Sequence, residues 1–313
     1  MKRYRLDPLI YKTKSDSQKF GGHWFRGKNC NFIPSKKHFK DKNFFDKYIL
    51  EGFKPNKPFI TKKQNILAFG SCFAAEVSSY LANKNYSIFN KKMSTDTHII
   101  RYGEGMANTF TVLEQLLWAF ENKNIEKNTW YYSAQKEERN DVEIREQTLN
   151  LLKKIDIFII TVGLAEVWYN KVNNQVFWKA IPASQFDEKK HGFRVSTVEE
   201  NTTNLEKIYS IIKKNKPNAS IIYTLSPIPL MATFRPQSCI TANSISKSIL
   251  RVALDNVISK NNNKEDLYYF PSYEITKEYF IDPFLDDNRH LKQEYTYEIM
   301  RVFEDNYCCE KLK

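Results

Sequence analysis

The stretch that most constrains the fold is Asn65-Ile66-Leu67-Ala68-Phe69-Gly70-Ser71-Cys72-Phe73-Ala74. Its apolar run, Ile66 to Phe69, ends at a glycine, and a hydroxyl and a thiol follow side by side. Phe73, Val77, Tyr80 and Leu81 then recur at i, i+4, i+7 and i+8, the spacing of one helix face. The pattern predicts a buried strand, a tight turn and a helix, with Ser71 and Cys72 at the helix N-terminus. Backbone N–H groups point outward there and the dipole favours negative charge. A thiol in that place ionises more easily and becomes a better nucleophile. A buried cysteine at a strand–helix junction fits the local pattern as well.

From residue 65 onward strands and helices alternate. Strands are predicted at Tyr86 to Phe89, Ile155 to Val162, Ser220 to Leu225 and Leu267 to Phe270. Helices are predicted near Thr109 to Asn122, Val142 to Lys153, Asn201 to Lys214 and Ser244 to Lys260, and again after His290. The run 155 to 162 is β-branched and apolar throughout, as expected of a parallel strand buried on both faces. Residues 164 to 198 read as a long aromatic-rich connection. The alternation predicts an α/β fold, a three-layer sandwich with a mainly parallel sheet. Ligands bind such sheets at the carboxyl ends of the strands. Three strand ends stand out there: Gly70-Ser71-Cys72, Gly163-Leu164-Ala165-Glu166 and Ser226-Pro227-Ile228-Pro229.

The expected division is an N-terminal extension over residues 1–63, a domain over 64–306 and a tail over 307–313. The net charge of +12 belongs to the extension, which holds 17 Lys or Arg against 5 Asp or Glu. The other 250 residues balance. A basic segment attracts polyanions, including anionic lipid, so a polyanion or membrane surface is its expected partner. No base-reading motif accompanies it, which disfavours nucleic acid. A Lys-rich solvated extension is the plainer reading. The five cysteines form no C-x-x-C pair, so structural zinc is not expected. No apolar run of signal-peptide or membrane-spanning length is present. The expected location is cytoplasmic, with peripheral membrane contact left open.

Nucleophilic catalysis needs a nucleophile, a base and a group that orients the base. Cys72 or Ser71 offers the first. Asp287-Asn288-Arg289-His290 places a carboxylate three residues before an imidazole, after the last strand. Glu166, at the end of a buried strand, suits a substrate hydroxyl or an ion pair with Arg235. Trp168, Trp178 and Phe177 suit a wall for a sugar ring or a core anchor. Arg235 and Arg289 suit a carboxylate or phosphate. His98 and His191 lie in polar loops and receive no role.

These stretches resemble the GSCFA-domain family, itself similar to a branch of the GDSL-like, or SGNH, hydrolases. The signature is Gly70-Ser71-Cys72-Phe73-Ala74, and it is joined by Arg101 to Gly105 with Asn108, Thr161 to Trp168, Phe177-Trp178, Thr224 to Leu230, Ala232 to Arg235, and Asp286 to His290. The resemblance implies an SGNH-like, flavodoxin-like domain. It makes Cys72 the favoured nucleophile, Ser71 its neighbour or alternative, His290 the base and Asp287 its partner. It places the oxyanion donors at the backbone of Cys72 and of Gly103 or Gly105. Where SGNH enzymes supply an Asn, the stretch 163–166 has none, and Asn108 is the replacement considered. It implies esterase or O-acyltransferase chemistry on a carbohydrate, in modification of bacterial surface polysaccharide. No metal or cofactor is required, and acyl-CoA would be the donor of a transferase. The alternative from another class is a non-catalytic glycan- or polyanion-binding protein.

Overall fold

The computed structural model describes residues 9–12, 17–20, 31, 33–89, 107–123, 141–178, 180–261 and 265–309. The chain divides into two compact units, residues 1–42 and 43–313. The smaller holds an antiparallel hairpin of β1 (Leu9–Lys12) and β2 (Ser17–Phe20), and a 3-10 turn at Lys36–Lys40.

The larger unit is built on five parallel strands: β3 (Ile66–Gly70), β4 (Ile88–Phe89), β5 (Ile157–Val162), β8 (Ser220–Leu225) and β9 (Leu267–Tyr269). Between β5 and β8 a separate antiparallel hairpin intervenes, β6 (Glu166–Asn170) with β7 (His191–Val195). The sheet order is β4-β3-β5-β8-β9, with every pairing parallel. The sheet starts between its edges, winds outward one way, then crosses back and winds the other. The strand order therefore reverses between β3 and β5, and a ligand crevice opens at such a point.

Alternate residues of these strands enter different cores. Ile66, Ile157, Ile159 and Ile222 pack on one face against α2 (Cys72–Asn83) and α7 (Gln293–Tyr307). Leu67, Phe69, Phe158, Ile160, Ile221 and Tyr223 pack on the other. There they meet α3 (Thr109–Glu121), α4 (Asp141–Lys154), α5 (Val198–Asn215) and α6 (Cys239–Lys260). The molecule is thus α/β with helices on both faces of a parallel sheet, and a period of two divides each strand between two cores.

Residues 43–61 and 307–309 fall within the larger unit. After the short helix α1 (Phe44–Tyr48), the N–H groups of Phe59 and Ile60 both donate to the Tyr307 carbonyl. Ile60 pairs in parallel with Cys308, and both are fully buried. Among the described residues no helix is long and apolar enough to cross a membrane.

Candidate active site

The turn after β3 is set by one backbone requirement. Gly70 has φ +118°, and a Cβ there would stand 2.0 Å from the Thr161 carbonyl oxygen on β5. Only glycine lets the two central strands approach so closely and then turn. Ser71 follows as the N-cap of α2, buried, with its Oγ accepting from the Phe73 N–H. Its N–H donates to Thr161 Oγ1 at 2.6 Å, and the two hydroxyl oxygens lie 2.8 Å apart. The Ser71 hydroxyl is therefore occupied in holding the turn. Cys72 is the first residue of the helix, partly exposed and in no disulfide.

The turn forms one side of a cavity of about 730 Å³ at the carboxyl ends of the central strands. Ser71 and Cys72 line it after β3, Gly163, Leu164 and Glu166 after β5, and Ser226 with Ile228 to Leu230 after β8. The three strand ends singled out in the sequence meet there. Gly163 is tightly enclosed: its N–H donates to the Ala107 carbonyl at 2.7 Å, and a Cβ would meet Ser226 and Ser71 at 3.3 and 3.5 Å.

His290 and Arg289 close the cavity from the loop before α7. A local unit aims the imidazole. Asn288 takes left-handed φ, +54°, and Phe284 pairs with Leu291 across the turn. The Asp287 carboxylate accepts both the His290 and Arg289 N–H groups at 3.0 Å and is hydrogen-bonded to His290 Nδ1. The bond to the imidazole, with those two N–H groups, holds the Asp287 carboxyl down at about 2. The paired Nδ1 leaves Nε2 as the ring nitrogen for chemistry. Arg289 ties the loop to the β8 end through Pro229 O, at 3.4 Å.

Asn108 lines the cavity as the buried N-cap of α3. Its Oδ1 accepts from the N–H and the hydroxyl of Thr111, at 2.9 and 3.0 Å. Capping uses the oxygen and leaves the amide nitrogen with no partner among the described residues. Gly103 and Gly105 lie outside the described residues, as does His98.

Aromatic walls complete the site. Trp168 meets Phe193 and Phe234 at 5.0 and 4.9 Å between ring centres, and all three line the cavity. Trp178 is buried and donates from Nε1 to Glu114 Oε2 at 2.7 Å. Glu166 accepts from Thr233 Oγ1 at 2.7 Å through Oε2, and its Oε1 faces Arg235 Nη1 at 3.7 Å. The expected Glu166–Arg235 pair is present, but beyond hydrogen-bond length. Glu166 Oε1, Arg235 Nη1 and Trp168 Nε1 are all buried without a hydrogen-bond partner among the described residues. His191, expected in a polar loop, is instead buried as the first residue of β7, and its Nδ1 accepts the Asp187 N–H at 2.9 Å. Among the described residues no three His, Cys, Asp or Glu stand together as metal ligands.

Two ionisable groups at the site went unread in the sequence. Glu114 sits behind the Trp178 wall, and burial pushes its carboxyl up to about 7. Lys247, on the buried stripe of α6, donates to the carbonyls of Gly163, Ser226 and Ile228. A lysine three and seven positions before Leu250 and Leu254 was the available signal.

Residues 65–303 match the GSCFA family model. The chain belongs to the GSCFA family. No curated protein matches it. Among solved structures it is similar to a protein described as a GDSL-like lipase, from Parabacteroides merdae ATCC 43184, at 12% identity and a TM-score of 0.40, over 80% of this chain and 98% of that one. It is also similar to a family 3 carbohydrate esterase from Clostridium thermocellum, at 12% identity and TM-score 0.34, over 79% and 95% of the two chains. A mutant acetyl esterase with acetate ion is similar at 10% identity and TM-score 0.36, over 77% and 99%. Likenesses this loose carry no weight; the fold rests on the strand order and the site on its own geometry.

Proposed function

We propose that this GSCFA protein cleaves acyl esters of carbohydrates through Cys72, His290 and Asp287. The observation that carries the reading is that Cys72 and His290, from opposite ends of the domain, line one cavity, with Asp287 bonded to the far ring nitrogen. Cys72 Sγ attacks the ester carbonyl carbon as its proton passes to His290 Nε2. The tetrahedral oxyanion collapses, the C–O bond breaks, and the alcohol leaves with the proton held by His290. Water then attacks the thioester, gives its proton to His290 and releases the acid and the thiol. Asp287 keeps the imidazole in the right tautomer and stabilises its cation.

The oxyanion forms at the head of α2, where the helix dipole favours it. Asn108 Nδ2 is the donor that replaces the missing Asn of the 163–166 stretch. One such donor is worth a factor of ~100 to 1000 in rate. Trp168, Phe193 and Phe234 offer flat apolar faces, and buried Glu166 Oε1 offers an acceptor to a ligand hydroxyl. Stacking faces beside an unsatisfied buried carboxylate oxygen suit a sugar ring better than a purely apolar alcohol. Modification of surface polysaccharide is the setting in which such an enzyme would act. Where a sugar hydroxyl replaces water in the second step the same residues make an acyltransferase, with acyl-CoA as donor.

Turnover of O-acetylated oligosaccharides, followed by acetate release, tests the reading. Wild type should release acetate, and Cys72→Ala should lose at least ~1000-fold in kcat/KM. Unchanged release by Cys72→Ala removes the proposal. Glu166→Gln should raise KM for the oligosaccharide and leave a simple aryl acetate unaffected.

A further inference from the structure

Lys247 has the surroundings of a functional group. The residue is 1% exposed, on a buried helix stripe that also holds Ala242, Ser246, Leu250, Ala253, Leu254 and Val257. Nζ donates to Ser226 O and Ile228 O at 2.8 Å each and to Gly163 O at 3.2 Å. Three carbonyl acceptors match the three protons of an ammonium; a neutral amine would set its lone pair against one of them. The neighbouring Ser246 Oγ accepts the Ala165 N–H at 2.8 Å, so α6 grips the β5 end at two successive residues. Among the described residues no carboxylate pairs with Lys247. The titratable groups that act on it are Cys72 and Arg289, and of these only Cys72 can become an anion.

We propose that Lys247 is a positioning residue of the site: its ammonium, clamped by the ends of the two central strands, stabilises the developing charge on the Cys72 sulfur, so that the thiol gives up its proton to His290 more readily. This rests on Cys72 being the nucleophile. Gly163, whose carbonyl Lys247 holds, lies against Ser71, so the clamp sits beside the turn that carries the thiol. Burial pushes the Lys247 amine down to about 7, and the Cys72 sulfur acts in the opposite sense. Each group is therefore more readily charged when the other is charged. The other charged groups on this cavity are Arg289 and His290 with Asp287 on the loop before α7, and Glu166 with Arg235 beside β6.

The test is the pH dependence of Cys72 alkylation by iodoacetamide in the full chain, read by peptide mass spectrometry from about pH 5 to about pH 10. It is run on wild type, Lys247→Met and Lys247→Gln, and on each in a His290→Ala background. Wild type should label with a midpoint below the ordinary thiol value of about 8.5. Folded Lys247 variants should shift it up by about one unit or more, in both backgrounds. A folded variant with an unmoved midpoint overturns the proposal. If neither variant folds, the reciprocal titration decides: the Lys247 midpoint, followed by NMR of the labelled side chain, should fall in Cys72→Ala relative to wild type, and an unmoved midpoint overturns the proposal. Alkylation needs no turnover. Failure of the esterase reading would thus show as inactivity on every ester with the midpoint shift intact.

Discussion

Gly70 and Thr161 show how single residues hold the site. A Cβ at Gly70 would meet the Thr161 carbonyl oxygen at 2.0 Å and would sit at φ +118°. Gly70→Ala should therefore cost at least about 2 kcal/mol of stability, measured by urea unfolding. Asn108 allows its two duties to be separated. Asn108→Asp keeps a good N-cap but loses the amide donor; it should keep its unfolding midpoint and lose ~100-fold or more in kcat. Asn108→Ala should lose both the donor and about 1 kcal/mol of cap. Equal kcat for Asn108→Asp and wild type would remove Asn108 from the oxyanion site. At this scale much was legible: the Gly-Ser-Cys turn and the Asp-x-x-His unit are local in sequence, and their geometry is local too. Whether Ser71 or Cys72 faces the ligand was not, because that depends on Thr161, which lies 90 residues away and binds the Ser71 hydroxyl.

Among the elements, α3 carries a pH response. Glu114 ionises at about 7 when folded, against an ordinary 4.5, because burial beside Trp178 outweighs the indole hydrogen bond. A carboxyl raised in this way binds more protons folded than unfolded between those values. Its contribution is fully present below about 4.5 and is lost as pH rises through about 7. Stability of wild type relative to Glu114→Gln should fall across that window by about 3 kcal/mol, measured by thermal melts at matched ionic strength. A flat difference would mean the carboxyl stays ionised. Strands β5 and β8 announced themselves as unbroken apolar runs. The β6–β7 hairpin did not: its strands lie 20 residues apart along the chain and mix Glu, Trp, Asn, His and Arg, without clean alternation. Pairing and the aromatic neighbours decide such strands, not propensity. Helix α6 starts five residues earlier than its apolar period suggested, because Ser238 caps a first turn whose Ile240 is exposed.

For the whole molecule, every residue named in the cavity lies in the unit 43–313. A chain lacking residues 1–42 should keep its melting temperature and its turnover of small esters. A chain cut at residue 63 should not fold as well, because it loses the buried Leu50 and Ile60. Circular dichroism melts and aryl acetate turnover check both. The strand alternation implied the parallel sheet, and the reversal of strand order explains why its chemistry gathers between β3 and β5. Acid quenching of the full chain during turnover of an activated aryl acetate, followed by peptide mass spectrometry, tests the central chemistry most directly. A single acetyl group on Cys72, absent from Cys72→Ala and diminished in His290→Ala, is the predicted result. An acetyl group on Ser71, or turnover that persists in Cys72→Ala, would contradict it.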